Sequence, residues 1–192
     1  MPRLRQYEAL LAGVGIEWGL LGPREGERIW RRHILNSLAV EPLLGTGEQV
    51  CDVGTGAGLP GVPLAVVRPD LSVTLLDSLA RREKFLRLAV SGLALRNCQV
   101  VRARAEDYAR TDGAGRFDAV VCRAVAPLEK LLDWCLPLLA PGGRLLALKG
   151  ESAAEEAARA KSAAGKRLRL EVVELPVPHA DERTWAVVAT TA

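Results

Sequence analysis

Glycines at alternate positions beside an acidic residue suit the binding of a nucleotide-like ligand, and this chain has them in Asp52-Val53-Gly54-Thr55-Gly56-Ala57-Gly58. Gly54, Gly56 and Gly58 permit tight backbone turns and let a ligand approach the main chain closely. Asp77 closes the next apolar run and is followed by Ser78. A carboxylate at that place can accept hydrogen bonds from both hydroxyls of a ribose. A third signal, Ala105-Glu106-Asp107, follows another apolar run. It reads either as a contact to an adenine ring or as the acid-rich first turn of a helix. Arg123 ends a fourth run. An arginine closing an apolar strand is costly without a partner, so it either holds a reacting group or makes a structural salt bridge.

These residues need a scaffold that brings them to one edge. Residues 1–45 read as a helical extension, broken at 19–23, with a 3.6-residue apolar period over 25–44 carried by Ile29, Trp30, Ile34, Leu35, Leu38 and Leu43. Residues 46–192 read as one compact α/β domain. Short apolar runs predict strands at 49–53, 72–77, 98–103, 117–124, 143–149, 167–175 and 184–191. Helical patterns lie between most of them, at 61–68, 79–93, 128–139 and 152–164. Strands alternating with helices predict a parallel sheet covered on both faces. The connector 176–183 is too short for a helical crossover, so the last two strands are expected to form an antiparallel hairpin.

A mostly parallel sheet closed by such a hairpin resembles the Rossmann-like seven-stranded sheet of class I S-adenosylmethionine-dependent methyltransferases. Gly56-x-Gly58-x-x-Gly61 also satisfies a dinucleotide-binding pattern. That pattern usually starts closer to its strand. The Asp-x-Gly-x-Gly-x-Gly reading fits the strand end better and favours S-adenosylmethionine over a nicotinamide cofactor.

Composition narrows the partners. Net charge is only +3, yet 21 of the 26 basic residues are arginine. Arginine suits phosphate and base-plane contacts, and the same bias also follows from a GC-rich genome. The cysteines Cys51, Cys98, Cys122 and Cys135 form no C-x-x-C pair and read as buried free thiols, so no metal is expected. No apolar run reaches membrane-spanning length, and the first residues lack the apolar core of a signal peptide. The expectation is a cytoplasmic protein with no membrane partner and no inferred protein partner.

The acceptor can be approached by what is missing. After the fourth strand, amino-directed DNA methyltransferases carry an acidic residue or Asn, then Pro-Pro and an aromatic. This chain has Cys122-Arg123-Ala124-Val125-Ala126-Pro127. Cytosine-C5 methylation needs a thiol nucleophile, and Cys122 is in the right neighbourhood. Strand alternation, however, sets Cys122 and Arg123 on opposite faces. Guanine N7 presents a free lone pair and requires no proton removal, only alignment with the departing methyl.

Arg31-Arg32-His33-Ile34-Leu35-Asn36-Ser37-Leu38, the loop from Asp52 to Leu64, Leu76-Asp77-Ser78 with Arg81-Arg82 and Phe85-Leu86, Arg123-Ala124, and Ala147-Leu148-Lys149-Gly150 occur in that order. Together they resemble the bacterial small-subunit rRNA guanine-N7 methyltransferase family, also called glucose-inhibited division protein B. The likeness runs from about Trp30 to the last strand. It implies methylation of N7 of one guanine in the 530 loop of 16S rRNA, on the RNA or on a small ribosomal subunit precursor. It also implies donor contacts at Gly54, Leu59, Ala105, Glu106 and Arg123. Asn36 replaces the family's usual Asp, and the N-terminus is short; both bear on RNA docking. The RNA-binding candidates are Arg28, Arg31, Arg32 and His33 on the basic helix, Lys149 at the fifth strand's end, and Arg183 by the hairpin. Each of these also reads as a solvated charge or a helix pair. The competing functions are a non-catalytic adenine-nucleotide-binding module and a methyltransferase acting on another RNA or a small molecule.

Overall fold

The computed structural model describes residues 1–164 and 168–191. Helix α1 (Pro2–Leu10) continues in a wider π register over Leu11–Gly15. A second helical stretch follows as a 3-10 turn (Pro23–Arg28), a π-helix (Ile29–Leu35), the single turn α2 (Asn36–Leu38) and another 3-10 turn (Glu41–Leu43). The α/β part then runs β1 (Gln49–Val53), α3 (Gly61–Val67), β2 (Ser72–Asp77), α4 (Ala80–Gly92), β3 (Cys98–Arg102), α5 (Ala105–Tyr108) and β4 (Phe117–Arg123). It ends with α6 (Leu128–Cys135), β5 (Leu139–Lys149), α7 (Ala153–Ala164), β6 (Leu168–Pro176) and β7 (Arg183–Thr191).

The seven strands form one sheet in the order β3-β2-β1-β4-β5-β7-β6. β1 to β5 are parallel to one another, whereas β7 runs antiparallel to β5 and β6. The fold class and the closing hairpin are those expected from the sequence. The chain winds outward from β1 to β3 and then restarts at β4 on the other side. That reversal opens a crevice at the carboxyl ends of β1 and β4, where open α/β sheets bind ligands.

Both sheet faces are covered, as strands apolar on two sides demand. On one face, Val50, Val73 and Leu75 pack with Leu4, Tyr7, Ile29, Ile34, Val62 and Phe85. On the other, Cys51, Val53, Cys122 and Leu145 pack with Tyr108, Leu131, Leu138 and Ala157. The first 45 residues therefore add Leu4, Tyr7, Leu11 and Ile29 to the same core as the sheet. No helix among the described residues is long and apolar enough to cross a membrane.

Two expectations change. The 25–44 helix is a chain of 3-10, π and α turns. The fifth strand starts before residue 143: Phe117 pairs with Leu139, then Ala119 pairs with Arg144, and the intervening residues bulge out at Gly142 with φ 79°. The regular ladder begins at Arg144, so the proline and glycines at 141–143 mark a bulge inside the strand. Arg167, the expected start of the sixth strand, lies outside the described residues.

Candidate active site

Two crevices open side by side at the carboxyl edge, and the end of β4 forms the wall between them. The first is lined by Gly54, Asp77, Ser78, Ala105, Glu106 and Val125, with Arg82 and Trp134 at its sides. The second holds Arg32, His33, Asn36, Arg123, Lys149 and Glu156. Arg123 and Ala124 face the second crevice, and Val125 faces the first.

Glycine is required in the loop between β1 and α3 because the backbone takes left-handed conformations there. Gly54, Gly56 and Gly58 have φ of 66°, 60° and 98°. Their roles differ. A Cβ on Gly56 would meet nothing closer than a backbone oxygen at 3.9 Å, so this backbone is open to a ligand. A Cβ on Gly54 would lie 2.7 Å from Val125. Gly58 is buried against Val62 and Tyr7 and serves packing. Leu59 is also buried, 5% exposed, beneath the crevice rather than on its wall.

Asp77 ties the crevice together. One carboxylate oxygen accepts from the Gly56 amide (3.0 Å) and from Arg82 (3.0 Å), and the other accepts from the Leu79 amide (3.1 Å). Ala105 and Glu106 open the short α5, as the acid-rich first turn of a helix would, and they line the crevice; Asp107 instead pairs with Arg110.

Asp52, the acidic residue that heads the glycine motif, lies in the core and holds the loop through Thr55 and Gly61. It is wholly buried; one carboxylate oxygen accepts from Thr55 Oγ1 and from the Gly61 amide at 2.7 Å, while Oδ1 has no partner. Burial pushes its pKa up to about 7. The signal for its burial was its position within an otherwise apolar strand. Tyr7 braces the same loop from α1 by donating to Ala57 O at 2.6 Å, and burial pushes its phenol upward.

In the second crevice, Arg123 donates to the backbone oxygen of Arg32 (3.1 Å) and to His33 Nδ1 (3.0 Å). No carboxylate pairs with it among the described residues, and burial lowers its pKa from the ordinary arginine value. His33 Nε2 in turn lies 2.7 Å from Glu25 Oε2. Lys149 is nearly buried and donates to Ala126 O and Glu156, both at 2.8 Å. Burial opposes ionisation of Glu156, but the Lys149 ammonium outweighs it and holds the carboxyl below its usual range.

The RNA-binding candidates therefore separate. Arg28 is exposed, Arg31 pairs loosely with Glu182 at 3.1 Å, and Arg32 with Glu25 at 3.4 Å, both arginines being 61% exposed. Arg183 is exposed and pairs with Glu174 across the hairpin. His33 and Lys149 face inward. Cys122 points into the core beside Cys135, on the opposite face from Arg123, as strand alternation predicts.

Comparison with known proteins adds to this geometry. A family described as rRNA small subunit methyltransferase G (GidB) matches residues 1–185. A ribosomal RNA small subunit methyltransferase G of Mycolicibacterium gilvum is 57% identical over 152 residues, covering 79% of this chain and 66% of the relative. Its counterpart in Mycolicibacterium smegmatis is 55% identical over 150 residues, covering 78% and 63%. The chain thus spans just under two thirds of the length of these relatives. Among solved structures, a SAM-dependent methyltransferase from Aquifex aeolicus superposes with a TM-score of 0.65 at 19% identity, covering 85% of this chain and 93% of that one. At that identity the likeness speaks for the fold.

Proposed function

The chain belongs to the rRNA small subunit methyltransferase G family, and from that premise we propose that it transfers a methyl group from S-adenosylmethionine to N7 of a guanine in the 530 loop of 16S rRNA. The acceptor is free rRNA or a small ribosomal subunit precursor, and the reaction belongs to the cytoplasm. One observation carries the reading: a crevice lined by the Asp77 carboxylate shares the end of β4 with a second crevice that holds Arg123, which has no carboxylate partner among the described residues.

The residues present fit the donor. The backbone at Gly56 is open where a Cβ would stand, Asp77 offers acceptors to ribose hydroxyls, and Ala103, Val125 and Trp134 supply apolar walls for an adenine. When bound, S-adenosylmethionine supplies an electrophilic methyl group. Gly54, Asp77, Ser78, Ala105 and Glu106 orient the nucleoside part, while Leu59 and Gly58 support the loop from below.

In the second crevice, Arg123 holds the base. Its guanidinium can donate to guanine O6, the acceptor next to N7. His33, Lys149 and Glu156 are each engaged by protein partners, so the crevice offers no spare general base among the described residues. N7 attack needs none, because its lone pair carries no proton. Exposed Arg28, Arg31, Arg32 and Arg183 then contact phosphates around the docked loop.

Two single substitutions test the chemistry. Cytosine-C5 transfer would need a thiolate bonded to the base. The account predicts that Cys122→Ala keeps activity within about threefold, given a stable fold by thermal melt. Arg123→Ala should lose roughly 100-fold or more, as removal of a group aligning the reacting atoms does. A dead Cys122→Ala enzyme, or an adduct trapped on RNA containing 5-fluorocytosine, contradicts the N7 assignment.

A further inference from the structure

Arg123 is the charged group at the acceptor crevice, and what holds it in place is not a carboxylate. Its two anchors are the carbonyl of Arg32 at 3.1 Å and the imidazole of His33 at 3.0 Å. A guanidinium has only donors. His33 Nδ1 must therefore be the unprotonated acceptor. The proton then sits on Nε2, and Glu25 Oε2 receives it at 2.7 Å. Both neighbours thus select the same tautomer, while Arg123 favours the neutral ring and Glu25 the charged one. The chain Glu25–His33–Arg123 links the consecutive 3-10 turn and π-helix to the end of β4, with His33 and Arg123 90 residues apart.

We propose that His33 is a positioning residue of the methyl transfer: its neutral imidazole, oriented by Glu25, fixes the Arg123 guanidinium in the acceptor crevice, and its protonation releases that guanidinium. The proposal rests on the guanine-N7 reading above. Protonation at Nδ1 turns an N–H toward the N–H of Arg123, which removes the hydrogen bond and sets two cations against each other. The groups around the ring are Glu25 and Arg32 from its own side, Arg123 from β4, and the Lys149–Glu156 pair across the crevice. Burial lowers the His33 pKa, and Arg123 and Arg32 push the same way, against the Glu25 bond. The neutral form is therefore the working state at neutral pH, and the arrangement fails in acid.

The test follows single-turnover methyl transfer by the full chain to small ribosomal subunits lacking the modification, as a function of pH. Methyl transfer to guanine N7 by the unaltered chain tests the function itself; the variants below test only the positioning role. His33→Ala is expected to lower the single-turnover rate about 10- to 100-fold, the range for loss of one hydrogen bond to a charged group. His33→Asn keeps an acceptor near the Nδ1 position and should recover most of that loss. Since Asn does not titrate, the fall in rate toward acid pH should vanish in this variant. Glu25→Gln removes the charge that favours imidazolium, so the acid fall should move to lower pH. A His33→Ala enzyme with an unaltered rate, or an acid limb persisting in a folded His33→Asn enzyme, overturns the proposal.

Discussion

Arg123 and Asp52 stand near the ends of neighbouring strands, and both are ionisable groups withdrawn from water. Arg123 keeps its charge because its acceptors are a carbonyl and an imidazole, which leave the guanidinium free to act on something else. Asp52 stays tolerable because Thr55 and the Gly61 amide donate to one of its oxygens, yet the other has no partner. With its pKa pushed from 3.8 to about 7, the folded protein holds a proton through that interval that the unfolded chain has released. This group therefore costs stability increasingly as pH rises from 3.8 to about 7, and the cost is constant above. Asp52→Asn keeps an oxygen for Thr55 and Gly61 but cannot titrate. Relative to the parent it should gain roughly 1–4 kcal/mol between about pH 4 and about pH 8. Thermal melts of both proteins across that range measure it; parallel pH profiles would mean that Asp52 is already ionised in acid.

Among the elements, the π-helix Ile29–Leu35 matters most for the site. Its buried residues Ile29 and Ile34 are five apart, and Leu38 follows four residues later in α2, a spacing that a 3.6-residue reading accommodates. The Asn36 amide reaches back to Arg31 O, five residues away. This register sets the Arg32 carbonyl and the His33 ring against β4, and nothing in local spacing announces it. Those contacts join positions 91 and 90 residues apart, and only the folded chain reveals them. By contrast, the strand positions, the closing hairpin and the placing of the glycine loop, Asp77, Ala105 and Glu106 at one sheet edge were legible. They depend on runs of apolar residues and on glycines and acidic residues at the ends of those runs. The same element supports a test of RNA docking. Arg31 and Arg32 are exposed, and their surface ion pairs are worth little. Replacing both by Ala leaves the residue 32 carbonyl for Arg123. RNA affinity at low salt should fall, the salt slope should flatten by roughly 1–2, and donor affinity should stay unchanged. Salt-dependent filter binding, with calorimetry on S-adenosylhomocysteine, separates this from an inert basic face, which would leave both quantities alone.

At the scale of the molecule, a doubly covered sheet presents both crevices along one edge, and a net charge of +3 is compatible with RNA binding through local arginines rather than a global field. The N-terminal helices belong to this arrangement: Tyr7 supports the glycine loop, and Glu25 and His33 support the second crevice. The proposed reaction puts one methyl group on one guanine N7 of the small-subunit rRNA. The most direct measurement incubates the protein with labelled S-adenosylmethionine and small subunits lacking the modification, then maps the label by nuclease digestion and mass spectrometry. The account predicts one labelled fragment, from the 530 loop of 16S rRNA, containing 7-methylguanosine and absent with Arg123→Ala. Label on a cytosine, on protein, or on no component of the particle despite tight donor binding would contradict it.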